Sequence, residues 1–118
     1  MILPIVLYGN PVLKAVSKPI EPDFPELTQL ISDMWETMYY AKGVGLAAPQ
    51  IGRSIRLFVV DSIPYYEKEH AAQGIKKVFI NATLSEEKGD MWGFEEGCLS
   101  IPKVNAEVKR KESITIKY

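Results

Sequence analysis

One segment of this chain has helical periodicity, and the rest must be arranged around it. Leu27, Leu30, Ile31, Met34, Trp35 and Met38 recur at helical spacing, while Glu26, Gln29, Ser32, Asp33 and Glu36 fall mostly outside that stripe. Asp23 reads as the N-cap, Glu26 three residues on completes a capping box, and Pro25 occupies the first turn, where its missing N–H does no harm. The pattern predicts a helix that stops near Ala41-Lys42-Gly43, with Gly43 as its C-terminal cap. Methionine and tryptophan at this spacing read as core. A chain of 118 residues makes one domain and buries roughly 65% of the surface its unfolded form exposes. A single long helix must therefore cover whatever sheet the remaining residues build.

Those residues read mainly as strands. Residues 1–8 are apolar but interrupted by Pro4, which suits an edge strand or an extended arm laid on the body. Tyr8-Gly9-Asn10-Pro11 marks a turn, Val12 to Val16 is either a short helical turn or extended, and Lys18-Pro19-Ile20-Glu21-Pro22 is a stiffened loop. Ser54 or Ile55 to Asp61 is a strand, and Val78-Phe79-Ile80, ended by Asn81, is a second. Ser62 to Gly74 reads as a polar loop, and Ser85 to Gly93 as a loop or hairpin. Val108 to Tyr118 alternates, with Ile114 and Ile116 on one side and Ser113, Thr115 and Lys117 on the other, as a half-buried strand does. The expected class is α+β, with mostly antiparallel sheets packed on one long helix.

Charge and cysteine content exclude several functions. A net charge of −1 creates no long-range field for nucleic acid or an anionic membrane, and Lys109-Arg110-Lys111 reads as the solvated start of a strand. No specific nucleic-acid site and no membrane partner are expected. One cysteine rules out an internal disulfide framework, and the first residues lack a signal-peptide pattern, so the expected location is cytoplasmic. Gly43-Val44-Gly45 follows a helix rather than a strand and lacks a third glycine, so no dinucleotide site is implied.

Two stretches carry candidate chemistry. Glu96-Gly97-Cys98-Leu99-Ser100 holds the lone cysteine on a glycine-flanked turn. By itself, such a cysteine reads as a small buried hydrophobe. Gly43-Val44-Gly45-Leu46-Ala47-Ala48-Pro49-Gln50-Ile51-Gly52 carries little charge and three glycines. Taken singly, Gln50 reads as a surface or turn residue, Gly45 as a turn glycine and Leu99 as core.

Together and in this order, the two stretches resemble the first two signature motifs of peptide deformylases. Ile2-Leu3-Pro4-Ile5 and Gly9-Asn10-Pro11-Val12-Leu13 resemble that family's opening, so the likeness runs over essentially the whole chain. The resemblance implies a metal-dependent hydrolase that removes the formyl group from the formylmethionine of nascent polypeptides. It implies a divalent metal, ferrous iron first, with zinc, nickel or cobalt as alternatives. Cys98 matches a metal ligand, as suits a soft thiolate. Leu99 matches a backbone N–H donor to the oxyanion and Gln50 an amide donor to it, with Gly45 beside the substrate backbone. Gly43, Val44, Glu96 and Gly97 join the expected substrate-binding residues, with Val44 lining a slot for the methionine side chain. The implied partners are a formyl-Met nascent peptide and the ribosome that makes it.

The family's third motif, His-Glu-x-x-His on a C-terminal helix, is not among these 118 residues. His70, 28 residues before Cys98 in a charged loop, is a poor replacement ligand. The expectation is a single domain over residues 1–118, incomplete at its C-terminus, lacking the metal-binding helix and inactive as these residues alone. One alternative is a non-catalytic, deformylase-like peptide-binding remnant, or a fragment that needs a partner chain. Another is an unrelated α+β domain with a reactive thiol.

Overall fold

The structure, a computed structural model, describes residues 1–65, 74–98 and 100–118, with side chains described outside 65, 85–86, 88–90, 92–98 and 101–113. The predicted helix is α1, Leu27–Tyr40. Its apolar stripe is the core: Leu30, Met34 and Met38 are buried against Leu46, Ala48, Leu57 and Val59, with Leu27, Ile31 and Trp35 packed at the margin. Each fully buried side chain of this size contributes about 1.5–3 kcal/mol.

Both ends of α1 differ from the sequence expectation. The helix starts at Leu27, and the N-cap position is Glu26, in the left-handed region (φ 56°) with no side-chain cap. The Asp23–Glu26 capping box does not form, because Pro25 pushes Phe24 out of helical geometry. Phe24 instead closes a turn onto the Glu21 carbonyl (3.1 Å) and packs at the edge of the core. At the far end it is Lys42, not Gly43, that takes the left-handed conformation (φ 59°). Its N–H donates to the Tyr39 carbonyl (3.1 Å) and the Gly43 N–H to the Met38 carbonyl (2.9 Å), the paired bonds of a Schellman ending.

Asp33 also departs from expectation. It is buried, and its Oδ1 accepts from the Met1 amino group (2.9 Å) and from Gln29 Nε2 (2.8 Å). The ammonium first, and Gln29 second, hold its carboxyl below the ordinary range. The neighbouring Thr37 Oγ1 donates to the Asp33 carbonyl (2.7 Å) and accepts the Leu3 N–H (2.8 Å). The first eight residues are thereby laid along α1 as an arm rather than paired as a regular strand.

The sheet over α1 has three antiparallel strands in the order β1 (Gly45–Ala47), β2 (Leu57–Asp61) and β3 (Lys76–Ile80). Alternation along β2 sends Leu57, Val59 and Asp61 inward. Asn81, left-handed as its residue type allows (φ 53°), ends β3, and its side chain exchanges two hydrogen bonds with the Ile20 backbone (2.8 and 2.9 Å). A second sheet is the long hairpin β4 (Thr83–Cys98) and β5 (Ile101–Lys117), antiparallel throughout. Ser85 to Gly93 is thus part of a strand, and β5 begins at Ile101, seven residues before the predicted Val108. Shifts in register at Leu84/Glu86, Lys88/Met91 and Gly97/Cys98 let the pairing run through glycines and charges that read as a loop or hairpin. Ile116 is half-buried, but Ile114 is 54% exposed, so the alternation near the end of β5 marks pairing more than burial. The α+β class, one long helix with antiparallel sheets, is the one expected.

Candidate active site

The segment from Gly43 to Gly52 leaves α1, runs as β1, and closes in a 3₁₀ turn over Ala48–Ile51. Gly52 ends that turn in the left-handed region (φ 83°). Among the described residues β1 is an edge strand with one neighbour, β2. Its register sets what the edge presents. The Asp61 N–H donates to the Val44 carbonyl (2.8 Å), so residues 44 and 46 form the hydrogen-bonded pairs with β2. Gly45, opposite Val60, is a non-hydrogen-bonded pair, so its N–H and C=O project from the open edge. A Cβ on Gly45 would lie 3.3 Å from the Val59 carbonyl oxygen and 3.7 Å from Val60 Cγ2, so the atoms nearest to it belong to β2.

Ala47 faces outward like Gly45, and its N–H is taken by Gln50 Oε1 (3.0 Å). A backbone N–H can only donate, so the Gln50 oxygen is the atom turned to Ala47. The amide nitrogen therefore points the other way, and it donates to Ser100 Oγ at 3.3 Å. Ser100 is 3% exposed. The arm joins the same two turns: the Val6 N–H donates to the Gln50 carbonyl (2.8 Å) and the Tyr8 N–H to the Ser100 carbonyl (2.9 Å).

The remaining predicted residues fall into three groups. Gly43 and Val44 lie between α1 and β1, half-buried, with their backbones bonded to Met38 and Asp61. Glu96, Gly97 and Cys98 form the end of β4, opposite Ala106, Asn105 and Ile101, and their side chains lie outside the description. Leu99 and His70 lie outside the described residues. Sequence reasoning missed Ser100 as a partner of Gln50; a hydroxyl closing the Cys98 turn was the available signal. A groove of about 460 Å³ between Ile2–Ile5 and Thr37, Tyr40 and Ala41 has none of Gly45, Gln50 or Ser100 in its walls.

The polypeptide deformylase family model matches residues 2–118. This chain belongs to that family. It is 54% identical over its whole length to a peptide deformylase of Flavobacterium psychrophilum, and it spans 64% of that relative's length. It superposes over its whole length on 74% of the crystal structure of peptide deformylase from Thermotoga maritima, with TM-score 0.85 and 36% identity. It also superposes on 76% of a Met-Ala-Ser-bound class I type b peptide deformylase from Acinetobacter baumannii, with TM-score 0.83 and 30% identity. No helix among the described residues is long and apolar enough to cross a membrane.

The deformylase donor set for a metal is not complete within these residues. They contain one cysteine and one histidine, and no group of three metal-ligating side chains occurs among the described residues. Cys98 can supply one thiolate of the three protein ligands that a catalytic centre of this type uses.

Proposed function

We propose that this chain carries the peptide-binding and oxyanion-binding half of a peptide deformylase, a hydrolase of N-formylmethionyl peptides. One observation carries the reading. The open edge at Gly45 and the amide nitrogen of Gln50 lie on one ten-residue segment, and that nitrogen is turned toward the turn that follows Cys98. An extended peptide can add to β1 through the Gly45 N–H and C=O, as peptides add to exposed sheet edges elsewhere. Val44 beside it suits the apolar methionine side chain. The Met-Ala-Ser peptide bound by the Acinetobacter relative has the sequence character such a product would have.

Deformylation forms a C–O bond from water to the formyl carbon, breaks the C–N bond, and leaves formate and the free amine of methionine. The carbonyl oxygen becomes negative on the way. The Gln50 amide and the Leu99 N–H are the proposed donors to it, each worth about 3–4 kcal/mol of barrier. Cys98 is the proposed ligand that this chain gives to the family's divalent metal, with iron(II) the first choice and zinc, nickel or cobalt as alternatives. The remaining ligands and the glutamate belong to the His-Glu-x-x-His motif, which these 118 residues do not contain. The nascent chain at the ribosome is the proposed source of substrate.

The test is formate release from formyl-Met-Ala-Ser. The iron-loaded full-length protein should release formate, and a peptide of these 118 residues should not. Family-like rates from the 118-residue peptide alone would overturn the division of labour proposed here. An inactive full-length protein that still binds Met-Ala-Ser would favour the non-catalytic, peptide-binding alternative.

A further inference from the structure

We propose that Ser100 is a positioning residue for Gln50, one that holds the aim of its amide nitrogen. The proposal rests on the deformylase reading above. Gln50 and Ser100 lie fifty residues apart in sequence and meet through one hydrogen bond, Nε2 to Oγ at 3.3 Å. A glutamine side chain has several rotatable bonds, so its amide needs anchoring at both ends to stay aimed. Ala47 supplies one anchor and decides which end is oxygen. With the nitrogen directed at it, the Ser100 hydroxyl must accept, and it fixes the tilt of the NH₂ plane.

Ser100 is suited to this by its own anchoring. It is buried, and its carbonyl is held by the Tyr8 N–H, while the Gln50 carbonyl is held by the Val6 N–H. Val6 and Tyr8 are two residues apart, so one short stretch of the arm ties down both ends of the Gln50–Ser100 bond. Loss of the Ser100 hydroxyl therefore releases the nitrogen end of the Gln50 amide. A misplacement of about 1 Å at such a site costs on the order of 100-fold in rate.

The experiment is a double-mutant cycle in the full-length iron enzyme, with formyl-Met-Ala-Ser as substrate. S100A removes one oxygen without adding bulk, and S100G deletes the same hydroxyl as a second variant should S100A fold poorly. S100A should lower kcat on the order of 10- to 100-fold with KM nearly constant. Placed on Q50A it should have no further effect, because it acts only through Gln50. An unchanged kcat in S100A, or a full additional loss on Q50A, overturns the proposal. A readout without turnover separates this from the deformylase reading. In the ¹⁵N spectrum, the Gln50 side-chain NH₂ should exchange faster and shift in S100A. If the wild type fails to deformylate but this change is seen, the activity reading falls and the positioning role stands. If the Gln50 signal is unmoved, the positioning role falls.

Discussion

The two halves of the described structure are stabilised differently. Around α1 and β1–β3, side chains from helix and sheet close on one another, and Met34 and Met38 are fully buried. In the β4–β5 hairpin the backbone pairing is longer, yet Leu84 (58%), Met91 (52%) and Ile114 (54%) remain exposed. Backbone bonds define the hairpin's register, but the apolar side chains described there gain little from it. A two-stranded sheet has no second layer of its own to bury a face against. Long pairing and a packed core are therefore separate achievements, and in this chain they sit in different places.

The largest expected contrast tests this directly. Met34→Ala should cost about 2–5 kcal/mol, since it opens a cavity at a site with no solvent access. Leu84→Ala or Ile114→Ala should stay within about 0.5 kcal/mol. Denaturant titration measures all three, and equal losses on the two sides would abolish the contrast. Next in size, Thr37→Val should cost about 1–3 kcal/mol by leaving the Leu3 N–H without its acceptor. Hydrogen exchange at the Leu3 amide should speed up with it while exchange in β4 stays unchanged; a uniform rise would mean that the arm does not belong to the compact half alone.

A smaller effect sharpens the picture at the helix end. Lys42→Gly should stabilise by up to about 1 kcal/mol, since relief of left-handed strain exceeds the extra entropy glycine has when unfolded. A lower melting temperature for this variant would contradict the Schellman assignment. The smallest effects are pH-dependent. Tyr39 donates to the buried Asp61 Oδ2 (2.5 Å), and although the residue is 43% exposed, burial first and Asp61 second push its hydroxyl up to about 12. A raised folded value means the stabilisation is full below the ordinary value near 10 and is lost as pH climbs toward 12. Asp33 has the opposite sign: its contribution is present above the ordinary carboxylate value and is lost as pH falls through the lower folded one. Alkaline unfolding of Tyr39→Phe and acid unfolding of Asp33→Asn should each show the corresponding limb flattened.

Legibility followed the range of the interactions. The apolar stripe of α1 and the apolar run of β2 are local patterns, and both elements form within the stretches expected, though α1 differs at both ends and β2 begins at Leu57. The 85–93 stretch reads as loop or hairpin because its glycines and charges are loop-like locally, and the hairpin is decided by pairing partners more than fifteen residues away in the chain. The helix start was misread because a capping signature and two prolines competed, and the steric restriction before Pro25 prevailed. Gln50 was legible as a candidate from its motif, but its aim was not, because Ala47, Ser100 and Val6 fix it together.

By itself, the sequence determined the class of the fold, the single helix and its buried face, and the two stretches that mark the family. These depend on side-chain order within a few residues. Only the tertiary structure decided that β1 is an edge with Gly45 facing outward, and that a short arm ties the Gln50 turn to the Ser100 turn. Both facts come from backbone hydrogen bonds between segments distant in sequence, and the pairing of N–H with C=O leaves no trace in residue type.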